Sequence, residues 1–107
     1  MIKIYWKGKE DGIENAFIDI GFELKEDMSR RKKHKADKLM HNNNCNITVA
    51  IDHKSTTNKE GIRITKEMLD KVKLDAGDNV PILTFSLYDM QRKFAIIEIK
   101  DLGLFTR

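Results

Sequence analysis

Six basic side chains, Arg30, Arg31, Lys32, Lys33, Lys35 and Lys38, fall within nine residues of this 107-residue chain. Residues 30–38 carry a net +5, with Asp37 as the only opposing charge, while the whole chain is +3, so the remainder is −2. The surplus positive charge is therefore local. A basic run of this kind suits phosphate binding, because each phosphate neutralised releases counterions and gives an affinity that falls with salt. The six residues are expected to contact the backbone of a nucleic acid, although an acidic protein surface would use the same charges. Tyr5 lies where Ile2, Ile4 and Trp6 alternate with Lys3, Tyr5 and Lys7, and its ring could stack a base. Ser55, Thr56, Thr57 and Asn58 could donate to phosphate oxygens, a contact that positions rather than specifies. The favoured reading of those four is a solvated loop.

The remaining reactive side chains do not assemble into chemistry by spacing. Cys45 is the single cysteine, which excludes an intramolecular disulfide and a cysteine zinc cluster, and it reads as a small packed residue. His53 has no visible partner in the sequence. No catalytic residue, metal or cofactor is expected from residue spacing.

A chain of this length holds one domain, residues 1–107, with a core that needs no metal or disulfide. With 40% hydrophobic and 35% charged residues of mixed sign, the composition is that of a globular protein. No apolar run approaches the ~20 residues of a membrane span, and no signal-peptide core follows the N-terminus. The expected location is the cytoplasm, with no membrane partner.

The elements that would position these residues follow from periodicity. Alternation predicts strands over 2–7, 16–24 and 47–52. The basic segment 25–41 is expected to be helical, with Ser29 as its cap and Met28, Ala36, Leu39 and Met40 as a thin apolar stripe. Residues 52–60 read as an exposed loop. From 61 to 100 the pattern is a strand at Ile62 and Ile64, a short helix capped by Thr65 and ended near Gly77, then a hairpin formed by 80–87 and 94–99. Pro81 places the start of the first hairpin strand at an edge. The fold class is α+β, mainly an antiparallel sheet of about five or six strands with two helices. Ile82, Leu83, Phe85, Leu87, Phe94, Ile96, Ile97 and Ile99 make both faces of the hairpin apolar, which asks for cover on each side and predicts a homodimer.

Two family resemblances attach to this stretch. Ile64-Thr65-Lys66-Glu67-Met68-Leu69, followed by Val72 to Val80 with its Gly77-Asp78 turn, resembles the strand, short helix and turn of the AbrB and MazE swapped-hairpin family. That likeness implies a DNA-binding dimer in which Arg63 and Lys66 face DNA. Ile96-Ile97-Glu98-Ile99-Lys100 is similar to the hydrophobic-Glu-X-Lys strand of restriction-endonuclease-like nucleases. This second likeness implies that an acid one strand earlier, here Asp78, shares a divalent metal with Glu98 while Lys100 stabilises or activates the attacking water.

The function favoured by the sequence is a small non-enzymatic nucleic-acid-binding protein, a DNA-binding regulator that contacts phosphates through its basic segment. The alternatives are a protein-binding inhibitor or regulatory module of a mobile genetic element, and a metal-dependent nuclease using Asp78, Glu98 and Lys100. Replacing Arg30, Arg31, Lys32 and Lys33 together by Gln is expected to weaken nucleic-acid binding and to make the slope of log affinity against log salt shallower by about 3 to 4. Fluorescence anisotropy across a salt series measures both.

Overall fold

The computed structural model describes residues 12–27, 36–55, 60–87 and 92–106. The expected strand at 2–7, with Tyr5, and the basic residues Arg30, Arg31, Lys32, Lys33 and Lys35 lie outside them.

Residues 12–19 form helix α1, not the first part of a strand. Ile13 and Phe17, one helical turn apart, are buried, whereas Ile18 and Ile20 of the apparent alternation are exposed. The last turn tightens through Ile20 N–H to Phe17 C=O at 3.2 Å and Gly21 N–H to Ile18 C=O at 3.1 Å. Gly21 then takes φ +104°, a conformation open to glycine, and redirects the chain into β1, Phe22–Asp27.

Strands β1, β2 (Lys38–Asn42) and β3 (Ile47–Ser55) form an antiparallel meander. Residues 25–27 and 38–41 are therefore strand rather than helix. Lys38, Met40 and Asn42 are buried while Leu39 and His41 are only partly so, a period of two that Met40, fully enclosed, anchors in the core. Between β2 and β3 the Asn42 Oδ1 accepts from the backbone N–H of Asn44 at 2.9 Å and of Cys45 at 3.3 Å. Asn46 closes the turn at φ 56°. Cys45 is thus a turn residue and not a core one.

Helix α2, Lys66–Ala76, carries the chain across to β4, Val80–Ser86, which runs parallel to β3. Thr65 caps α2 as expected, its Oγ1 accepting from Met68 N–H at 3.2 Å, and Gly77 ends it at φ 60°. Residues 61–65 precede the helix without strand pairing. Strand β5, Lys93–Ile96, pairs antiparallel with Leu83–Ser86 of β4, and Phe85 and Phe94 stack across the pair with centroids 5.1 Å apart. The hairpin is present. Pro81 lies before the part of β4 that β5 covers, so its missing donor falls at an open edge. The second hairpin strand stops three residues early, because Ile99–Leu102 form a helical turn, α3, followed by a 3₁₀ turn at Gly103–Phe105.

The result is an α+β fold around a five-stranded mixed sheet in the order β1-β2-β3-β4-β5, mostly antiparallel. Ile13 and Phe17 of α1 pack with Phe22, Met40, Val49, Ile51 and Ile82 on one face. On the other, Ala76 of α2 packs with Ala36 and Ala50, with Leu39 against them. Helices α1 and α2 cover the two faces in part, while Phe94, Ile99 and Leu102 at and beyond the hairpin stay exposed. No helix among the described residues is long and apolar enough to cross a membrane. The alanine seam sets how closely α2 approaches β3, and Ala50 is fully buried. Ala50→Leu is expected to destabilise the fold by about 1–3 kcal/mol through overpacking, read from the midpoint of urea denaturation.

Candidate acidic site

The β2–β3 ladder ends at the pair Lys38–Ile51, and Asp37, one residue ahead of β2, still donates its backbone N–H to Ile51 C=O at 2.9 Å. Asp37 and Asp52 line one cavity. Asp37 Oδ2 in turn accepts the backbone N–H of His53 at 3.0 Å. Two carboxylates are thereby fixed side by side at the end of a strand pair, where like charges repel. Lys54 lies two residues beyond Asp52 on the same face and is exposed. Met68, Lys71 and Val72 of α2 form the opposite wall of a cavity of about 220 Å³ that these residues line.

The electrostatics are those of a cluster short of positive charge. The Asp52 carboxyl is pushed up from 3.8 to about 6, by burial first, then by Asp37 and by Asp75 of α2; Lys71 and a hydrogen bond from the Asp37 backbone oppose the rise. Lys71 Nζ donates to Asp75 Oδ2 at 2.7 Å, four residues along the helix. The Asp75 side chain is 1% exposed, and its Oδ1 is buried with no hydrogen-bond partner.

His53 points to the other face and fastens the site to β4. Its Nδ1 lies 2.8 Å from Thr84 Oγ1, and Thr84 Oγ1 donates to the Asp52 carbonyl at 3.3 Å. With that hydroxyl hydrogen committed, Nδ1–H is the donor to Thr84, which leaves Nε2 to accept from Ser86 Oγ at 3.5 Å. Thr84 and Ser86 are almost fully buried.

The residues expected from sequence are placed differently. Lys38 is 5% exposed and its ammonium pairs with Glu14 of α1 at 3.3 Å, so it is not a surface contact for phosphate. Arg63 and Lys66 are exposed, and Lys66 pairs with Asp70 at 2.6 Å. Lys66 lines a separate groove of about 490 Å³ between α2 and the β4–β5 hairpin. Asp78 is exposed in the turn ahead of β4. Glu98 stands just beyond β5 and Lys100 within α3, so the two share no strand face. They do meet, at 4.0 Å, inside an ion-pair cluster in which Glu98 also reaches Lys73 at 3.5 Å and Lys100 reaches Asp101 at 3.3 Å.

Asp52-His53-Lys54 reads as loop in the sequence, and Asp37 reads only as an offset to the basic run. The signal that finds them is the pattern noted at 96–100: Val49, Ile51, Asp52, His53 and Lys54 also give a hydrophobic-acid-X-Lys strand, with an acid just ahead of the strand before. Lys71 and Asp75 carry no sequence signal beyond a helical i,i+4 pair. Among the described residues no group of three or more His, Cys, Asp or Glu side chains forms a ready metal cage. A carboxylate pair is nonetheless the donor set with which magnesium is commonly held, the rest of its shell being water and substrate phosphate. No protein-family model matches the chain, and no curated protein matches it.

Because Asp52 titrates higher in the folded chain than its ordinary value, the folded state binds more protons than the unfolded between about pH 4 and 6, and stability falls as pH rises through that window. Asp52→Asn removes the loss. The variant is expected to be more stable than the parent by about 1–2 kcal/mol at pH 7.5 without divalent cations, with the difference vanishing below about pH 4. Denaturation curves at the two pH values measure it.

Proposed function

We propose that the chain is a divalent-metal-dependent nuclease whose reaction centre is Asp37, Asp52 and Lys54. The observation that carries this reading is that Asp37, Asp52 and Lys54 line one cavity, with Asp37 held by the His53 backbone N–H and Lys54 two residues beyond Asp52 on the same face of β3. It is similar to what the restriction-endonuclease-like resemblance asked of Asp78, Glu98 and Lys100, with Asp52 and Lys54 of β3 in place of Glu98 and Lys100. The fit to a metal rests on the charge of the site: burial and two neighbouring carboxylates, Asp37 and Asp75, raise Asp52, and Asp75 itself keeps an unpartnered buried oxygen.

The Asp37 and Asp52 carboxylates would hold the ion. Bound there, a divalent metal supplies Lewis-acid polarisation of a phosphoryl oxygen and a water acidified for attack. The chain's own residues do the rest. The His53 N–H keeps Asp37 oriented, and the Thr84 and Ser86 hydroxyls hold His53, so the carboxylates need not reorganise when charge develops. Lys54 presents an ammonium on the solvent side, where it can stabilise negative charge on the phosphoryl oxygens in the transition state. Nucleic acid is the substrate class because the basic run Arg30, Arg31, Lys32, Lys33 and Lys35 leads directly into Asp37 along the chain. This departs from the non-enzymatic regulator favoured by charge alone, which explains binding but gives no reason for two carboxylates held in one cavity.

The test is cleavage of end-labelled single-stranded, duplex and branched DNA and of RNA, with magnesium or manganese and with EDTA. Cation-dependent cleavage is expected, lowered about 10²–10³-fold by Lys54→Met and abolished by Asp52→Asn, while Glu98→Gln and Lys100→Gln stay within a few-fold of the parent. Binding without cleavage on every substrate would return the protein to the class of non-enzymatic binders.

A further inference from the structure

Lys71 lies on the wall of the acidic cavity, yet it is not part of the strand pair that forms the reaction centre. Its ammonium donates to Asp75 at 2.7 Å, and the hydrogen bond to Asp75 raises its pKa, with the charges of Asp75, Asp52 and Asp37 adding to the effect. The partner is no ordinary surface acid: the Asp75 side chain is almost fully buried and has one oxygen with no donor at all. A buried carboxylate so poorly satisfied holds tightly to its one cation, since releasing it would leave an uncompensated charge. Lys71 is itself more than half exposed, so packing does not explain its position. The partner does.

We infer that Lys71, tethered to Asp75 on α2, is the resident counter-ion of the Asp37–Asp52 pair and competes with a divalent cation for it. Helix α2 therefore sets the cation affinity of a site whose ligands come from β2 and β3. This rests on the reading that Asp37 and Asp52 hold a divalent cation. The positive charge of Lys71 lowers the potential available to an incoming ion while its ammonium stays bonded to Asp75, so the effect is a weakened affinity and not a block. At separations of several ångströms in a partly solvated site, the repulsion between one ammonium and a dication corresponds to a change in affinity on the order of tenfold. In the cation-free protein the same ammonium offsets the repulsion between Asp37 and Asp52, which makes Lys71 a positioning residue for the empty site.

The experiment is calorimetric titration of manganese into the full chain and its variants, with thermal melts in EDTA alongside. Lys71→Met is expected to bind manganese about tenfold more tightly, and Lys71→Arg to bind as the parent does. In EDTA, Lys71→Met is expected to melt lower than the parent, with saturating manganese closing the gap. Should leaving Asp75 unpaired unfold that variant, the double replacement Lys71→Met with Asp75→Asn removes both charges of the tether, and it should bind more tightly than Asp75→Asn alone. If Lys71→Met binds no more tightly than the parent, or more weakly, while Asp52→Asn abolishes binding, the competition is overturned and the metal site stands. If the parent binds no manganese, or binds it as well after Asp52→Asn, the metal reading itself falls and the inference falls with it.

Discussion

The parallel pairing of β3 with β4 is the constraint on which the rest of the structure depends. Antiparallel neighbours could have ended β3 where β2 ends, and the polar composition of Asp52 to Ser55 would have allowed it. Instead β4 pairs with β3 from Val49 to Ser55, so the strand continues past its partner on the other side. That extension makes Asp52 and Lys54 occupants of a defined sheet face, and it sets His53 opposite Thr84. A parallel neighbour requires a crossover, and the crossover is α2, which is why the wall facing the carboxylates is helical.

Much of the fold was legible because its causes are local. Thr65, Gly77 and the apolar residues between them specify α2 with few contacts beyond the helix, and the apolar runs around 80–87 and 94–96 specify a hairpin. The failures have non-local causes. Ile18, Ile20, Phe22 and Leu24 alternate by coincidence, since the first two belong to an exposed helix flank and only Phe22 reaches the core. Met28, Ala36, Leu39 and Met40 imitate a helical stripe, yet Met40 is claimed by the sheet core and Leu39 by the opposite face.

The site was illegible for a related reason. The hydrophobic-acid-X-Lys pattern occurs three times, at Phe22–Lys25, Ile51–Lys54 and Ile97–Lys100, and in sequence the last copy looks best because Ile96, Ile97 and Ile99 flank its acid. Ile99 is in fact the most exposed large hydrophobic among the described residues, at 85%. Its apolarity says nothing about strand position there. The copy at Ile51–Lys54 is followed by Ser55, Thr56, Thr57 and Asn58, which dilute the strand signal, and only pairing with β4 overrides it. Sequence also could not separate the charges of the basic run, because Lys38 looks like its neighbours until β2 turns it toward α1 and pairs it with Glu14.

That orientation bears on how the chain can vary in length. Asp37 and Lys38 are adjacent, yet the first lines the cavity beneath α2 and the second enters the ion pair with Glu14 of α1. Deleting Asp37 would take a carboxylate out of the cavity, and a one-residue slip of β2 against β3 would turn Lys38 away from Glu14. From Asp37 to Asn42 the spacing is thus set by charge as well as by packing.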